Sequence, residues 1–162
     1  MIADEVTTGI GRTGTFLCSE NFNFKPDIVC IGKAISAGHY PVAATLFNQK
    51  IIDSWYELEK MGQDYSQIHR RGNSLVGTQE GSAISMKVLE ILERDNLIHE
   101  VNEKGKYAMD KFKEIEQHSN IREIRGKGLL IGIDVLNSDL AKNHITPEMR
   151  NNGINVLPEG RV

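Results

Sequence analysis

Two residues near the start of the chain, Asp4 and Lys33, have the types and the setting for amine chemistry. Asp4 falls within the apolar run "MIADEV" and Lys33 closes the apolar run "DIVCIGK", so each ionisable group sits at the end of a hydrophobic segment. A lone lysine in such a place ordinarily lays its stem on apolar surface and keeps its ammonium in water. A desolvated lysine can instead attack an aldehyde and form a Schiff base. If the two runs are strands of one open α/β sheet, their carboxyl ends share the ligand-facing edge, and the amine and the carboxylate face one crevice. A carboxylate there favours a protonated partner, through a charge-assisted hydrogen bond worth about 1.5–3 kcal/mol. An amine and a carboxylate so arranged are what an electron-sink cofactor with a basic ring nitrogen requires.

The elements that must position these residues follow from periodicity and breakers. "MIADEV", "DIVCIGK" and "VAATLFN" are short apolar runs bounded by Gly, Pro or Asp, and are expected as strands buried on both faces of an α/β sheet. Between the first two, Gly9, Gly11 and Gly14 allow tight turns close to another surface, as in a ligand-side loop.

Ile84, Val88, Ile91 and Leu92 form one helical stripe, and Ile98, Val101, Gly105, Ala108, Phe112 and Ile115 form a second. The break from Arg94 to Asn96 therefore separates two amphipathic helices. Trp55 and Tyr56 are expected to close a helix face. "IREIRGKGLLIGIDVL" alternates and turns at Gly126 to Gly128, which predicts an antiparallel strand pair. "TPEMRNNG" predicts a helix capped by Thr146, with Pro147 at its first position and Gly153 as its stop. "GINVLPEGRV" is again strand-like, so the end of the chain is expected as a β-β-α-β unit.

Composition narrows the function classes. The chain has 162 residues, a formal net charge of -3, 40% hydrophobic and 25% charged residues, which is ordinary for a globular protein and gives no basic excess for nucleic acid. A single tryptophan provides no stacking platform for bases. No window approaches the roughly 18–20 apolar residues of a membrane span, and the N-terminus has no basic-then-apolar signal pattern, so a cytoplasmic protein without membrane contact is expected.

Cys18 and Cys30 are too few for a disulfide framework and are expected to be reduced. His39, His69, His99, His118 and His144 make no i, i+4 pair and no metal-ligand pattern. His39 is close enough to Lys33 in sequence to line its site, and the "HRR" cluster at residues 69 to 71 is either solvated or attractive to an anion. "GIGRTG" lacks both the full dinucleotide and the Walker patterns, so a nucleotide-binding module is the weaker reading.

"IADEVTTGIGRTGTF", followed by "KPDIVCIGKAISAGHYPVAA", resembles the cofactor-binding core of the class III, ω-type, pyridoxal-phosphate-dependent aminotransferases of fold type I. The likeness extends more loosely through "VLEILERDNL" and "IREIRGKGLLIGIDV". It implies an α/β large domain with a mixed, mostly parallel sheet, followed by long helices and a small α+β C-terminal domain. Residues 1–93 would be the C-terminal part of the large domain, 94–118 the connecting helix and 119–162 part of the small domain.

The same resemblance implies that Lys33 forms the Schiff base with pyridoxal 5'-phosphate and later moves a proton, and that Asp4 pairs with the pyridine nitrogen. Val6 matches the position that packs on the cofactor ring. Ser74 or Thr78 matches the hydroxyl that reaches the phosphate bound in the partner subunit, while Glu5 and Arg12 are assigned to support of the loop. The reaction implied moves an amino group from an amine or amino acid to a 2-oxo acid, in a homodimer. The family's main phosphate-binding turn and stacking aromatic lie before the motif that opens this chain, and Arg161 falls near its carboxylate-binding arginine but out of register. The chain is thus expected to be a fragment holding half a site, with weak cofactor retention; the alternative is a non-catalytic remnant that acts only through subunit association.

Overall fold

The computed structural model describes residues 1–63 and 76–158. The first sheet has three strands, β1 (Ile2–Asp4), β2 (Ile28–Ile31) and β3 (Ala44–Phe47), in the order β1-β2-β3. β1 runs parallel to β2, with Asp4 opposite Cys30, and β3 runs antiparallel to β2, with Ile31 opposite Ala44. Parallel neighbours need a long crossover. Residues 5–27 supply it with the glycine-rich loop and a 3-10 turn at Cys18–Phe22.

The strands are less buried than their apolar sequences suggest. β2 alternates, with Val29 and Ile31 buried and Ile28 and Cys30 half-buried, whereas β1 leaves Ile2 and Asp4 exposed and β3 exposes Ala44, Thr45 and Leu46. The cause is position: among the described residues β1 and β3 are the outer strands of the sheet, and only β2 has a strand on each side. The expectation of strands buried on both faces therefore fails here. The buried face of β2 meets Ile10 and Ile35, and half-buried Leu17, Ala34, Val42, Leu89 and Leu92 pack around that core.

Three helices follow. Asn48 caps α1 (Gln49–Lys60) by accepting from Ile51 N at 3.1 Å through its side-chain oxygen. Trp55 meets Phe47 edge-on, with ring centroids 4.7 Å apart, while Tyr56 stays exposed, so only one of the pair closes the helix face. α2 (Gln79–Arg94) and α3 (Leu97–Lys113) break at Asp95 and Asn96, as the sequence predicts, with Asn96 in the left-handed region at φ 50°. Both expected stripes are half-buried or buried apart from Ile115, which lies beyond the end of α3 and is exposed.

β4 (Ile121–Lys127) and β5 (Leu130–Val135) form an antiparallel hairpin closed by Gly128 and Leu129, with positive φ at the glycine. The helical stretch after it starts earlier than predicted. It runs from α4 (Ser138–Leu140) through a π-turn at Ala141–Ile145 into α5 (Thr146–Asn151). Thr146 is therefore helical rather than a cap, and the cap is Asn137, whose side chain accepts from Asp139 N.

The π-turn precedes Pro147, whose ring and missing N–H disturb regular helical bonding to the turn before it. Gly153, at φ 81°, ends α5 as expected: its N–H reaches Arg150 O, and Ile154 N reaches Met149 O. Residues 154–158 form no strand, because no ladder partner lies beside them among the described residues. The terminal unit is thus β-β-α rather than β-β-α-β as far as it is described. No helix among the described residues is long and apolar enough to cross a membrane.

Candidate active site

Asp4 and Lys33 do lie at one edge of the sheet. Parallel pairing puts Asp4 beside Cys30, and Glu5 N continues the ladder to Cys30 O at 2.8 Å, so both chains leave the sheet side by side at their carboxyl ends. Asp4 is exposed, and its Oδ1 accepts from Val6 N at 3.1 Å, which folds the chain into a short turn just past the strand. Val6 turns toward β2: a methyl placed on Gly32 would lie 3.3 Å from Val6 Cγ1.

Lys33 opens a 3-10 turn over Lys33–Ser36. Its side chain is exposed, but its neighbours Ile31 and Ile35 are each only 5% exposed, so buried residues pin the backbone on both sides. Lys33 has φ 42°, a left-handed conformation that an L side chain adopts at a cost of order 1 kcal/mol or more. Its Nζ donates to Thr7 Oγ1 at 2.6 Å. Thr7 is a residue that sequence reasoning missed. The available signal was its place three residues beyond Asp4, on the segment that runs beside Gly32 and Lys33.

Glu5 is the buried carboxylate at this edge, at 3% exposure. It accepts from Cys18 N at 2.7 Å, Ser19 N at 2.8 Å and Thr8 Oγ1 at 3.0 Å, tying the end of β1 to the start of the 3-10 turn at Cys18–Phe22. Burial alone pushes this carboxyl up, but donation from the Ser19 and Cys18 amides, with the Thr8 hydroxyl, outweighs burial and holds it below the usual carboxylate range. Loop support is therefore the right assignment for Glu5, made through amides rather than an ion pair.

A depressed folded pKa stabilises above the unfolded value near 4.5, and that stabilisation is lost as pH falls through the folded value. Glu5→Gln is expected to cost about 2 kcal/mol at pH 7, since it replaces charge-assisted hydrogen bonds by weaker ones. It is also expected to flatten the acid limb of stability below pH 4.5. Urea denaturation across pH 3–7 measures both, and an unchanged acid limb would contradict the assignment.

The glycine-rich loop faces the protein rather than a ligand. Gly9, Ile10, Gly11, Thr13 and Gly14 are buried. Asn102 of α3 donates to Gly14 O at 2.7 Å, a methyl on Gly11 would lie 3.3 Å from Ile98, and Leu129 N reaches Arg12 O at 3.0 Å. The second surface that the glycines approach is α3 and the hairpin turn, which corrects the expectation of a ligand-side loop. Arg12 joins that support through its backbone, and its side chain is exposed.

Thr78 stands at the N-terminal cap position of α2 and is half-buried. A methyl on Gly81 would lie 2.8 Å from Thr78 Oγ1, 2.9 Å from Val42 and 3.3 Å from Tyr40, so Thr78 sits beside the segment that follows Lys33. A helix N-terminus of this length favours an anion. Ser74, His69, the "HRR" cluster and Arg161 lie outside the described residues. His39 is exposed, with its backbone N–H on Ser36 O at 3.0 Å. Cys18 and Cys30 are free thiols, as expected.

The donor set suits one end of pyridoxal phosphate: an amine for its aldehyde, an exposed carboxylate for its ring nitrogen, and the apolar Val6 beside Gly32. The Thr78 hydroxyl and the α2 N-terminus are the anion-favouring groups nearest the segment that follows Lys33 in the sites described above.

The family model "Aminotransferase class-III" matches residues 1–162. An ornithine aminotransferase from Plasmodium chabaudi chabaudi is 36% identical over 154 residues, covering 94% of this chain and 34% of the relative. A taurine–pyruvate aminotransferase from Bilophila wadsworthia is 30% identical over 152 residues, covering 93% of this chain and 33% of the relative. Among solved structures, an amine transaminase from an uncultivated Pseudomonas species, in its pyridoxal-phosphate-bound form, superposes with a TM-score of 0.87 at 34% identity. That match covers 98% of this chain and 37% of the transaminase. The chain thus spans about a third of the length of the curated relatives it matches.

Proposed function

The chain belongs to the class III aminotransferases, and on that premise we propose that it carries the lysine-bearing half of a transaminase site that moves an amino group from an amine or amino acid to a 2-oxo acid. The observation that carries the proposal is the placement of Lys33 and Asp4 at the carboxyl ends of adjacent strands, β2 and β1, paired in parallel. Pyridoxal phosphate, when bound, supplies the electron sink that makes a substrate C–H bond acidic.

Lys33 Nζ would provide the amine for covalent attachment and, once the incoming substrate amine displaces it, would hold and return the proton that leaves the substrate carbon. The Asp4 carboxylate keeps a facing ring nitrogen protonated. Val6 gives that ring an apolar wall. Thr78, or Ser74, offers a hydroxyl to the phosphate across a subunit interface. We further propose a homodimer, with residues 1–93 in the large domain, 94–118 as the connecting helix and 119–162 in the small domain. Two unpaired thiols suit a cytoplasmic setting.

The test is amino transfer by the purified chain loaded with pyridoxal phosphate, offered ornithine, taurine and simple primary amines as donors and a 2-oxo acid as acceptor. Transfer from at least one of these donors to the 2-oxo acid is expected, with loss of about 1,000-fold or more in Lys33→Ala. Transfer that survives in Lys33→Ala would overturn the assignment. Absence of transfer together with retained self-association would favour the non-catalytic reading.

A further inference from the structure

We propose that Thr7 is a positioning residue for Lys33: its hydroxyl holds the amine at the sheet edge in the orientation needed for attack on an aldehyde. The proposal rests on the reading of Lys33 as the covalent lysine.

Three observations converge on it. Lys33 Nζ donates to Thr7 Oγ1 at 2.6 Å, a short contact for a long side chain that would otherwise sample many rotamers. The approach is set by the backbone: Glu5 N on Cys30 O extends the parallel ladder past Asp4, and Val6 against Gly32 fixes the spacing of the next pair. Lys33 also holds a left-handed backbone at φ 42°, which persists only where surrounding structure over-determines it.

The chemistry of the group matters as much as its place. A hydroxyl accepts an N–H from either the ammonium or the neutral amine, so it can hold Nζ in both protonation states and, in the neutral one, leave the lone pair free for attack. A carboxylate at the same position would favour the ammonium, which has no lone pair for attack.

The test is the rate at which pyridoxal phosphate, followed by borohydride reduction, labels Lys33 in the whole chain, read by peptide mass mapping. Three proteins are compared: the unsubstituted chain, Thr7→Val, which keeps the shape and removes the hydroxyl, and Thr7→Ser, which keeps the hydroxyl. Thr7→Val is expected to label about tenfold more slowly, and Thr7→Ser within about twofold of the unsubstituted chain. Thermal melting midpoints of all three are expected to agree, which separates positioning from folding. Equal labelling of Thr7→Val and the unsubstituted chain overturns the role of Thr7 alone. Equal slowing in Thr7→Ser and Thr7→Val also overturns it, because the hydroxyl would then not be the operative group. No label on Lys33 in the unsubstituted chain overturns the covalent-lysine reading itself, and the proposal with it.

Discussion

Gly105→Ala is expected to destabilise the chain by about 2–3 kcal/mol, the cost of overpacking a close contact. At an open helical site the same change would stabilise by about 1 kcal/mol. The sign reverses because a methyl on Gly105 would lie 2.4 Å from Gly128 O and 2.6 Å from Gly128 C, and both are backbone atoms. Neither can rotate away, so α3 and the β4–β5 turn must separate. A methyl on Gly128 would in turn meet Thr13 C at 2.6 Å, so helix, hairpin turn and glycine-rich loop form one stack without room for side chains.

Separation would also strain the Leu129 N bond to Arg12 O and the Asn102 bond to Gly14 O. For a chain of this size the melting midpoint is expected to fall by roughly 5–10 °C. Lys106→Ala, one residue along and exposed, is the matched control, expected within about 0.5 kcal/mol of the unsubstituted chain. A Gly105→Ala chain as stable as that control would contradict the stacked arrangement.

The second large effect is expected at Asp4. Asp4→Asn is expected to slow amino transfer by about 100-fold or more, the scale of losing one electrostatic contact to charge that develops during reaction. Covalent labelling of Lys33 is expected to persist. The separation follows from the proposed roles: Lys33 would supply the amine that attaches, and the Asp4 carboxylate would act on a different atom of the cofactor. An asparagine keeps the size of Asp4 and its side-chain oxygen for Val6 N, so the turn after β1 survives while the negative charge is lost. Parallel measurement of transfer and labelling on the same variant reads the split. Loss of both would make Asp4 a structural residue, and loss of neither would remove it from the site.

How much of this was visible in the sequence depends on the range of the interactions that decide each feature. The two amphipathic helices and their break at Asp95 and Asn96 follow from local periodicity, and so does the hairpin turn at Gly128. The shared edge of Asp4 and Lys33 needed one further step, the inference that "MIADEV" and "DIVCIGK" pair in parallel, and that pairing is present.

What failed was decided at a distance. The partners of the glycine-rich loop lie on α3 and the hairpin, with Asn102 88 residues along the chain from Gly14, so no local pattern could distinguish them from a ligand. Thr146 looked like a cap because Thr-Pro is a good helix start, but Asn137 had already started the helix and a π-turn absorbed the proline. The exposure of β1 and β3 reflects their outer places in the sheet, which apolar content does not encode. Thr7 escaped notice because its one signal, a place three residues beyond Asp4, gains meaning only once Lys33 is set beside it.

The central claim is that Lys33 is the amine that takes pyridoxal phosphate covalently. The most direct measurement is to incubate the chain with pyridoxal phosphate, reduce with borohydride and map the modified peptide by mass spectrometry. The account predicts a pyridoxyl group on Lys33, with much lower labelling at exposed lysines such as Lys50 and Lys60. Even labelling across the surface lysines, or a modified peptide that excludes Lys33, would contradict it.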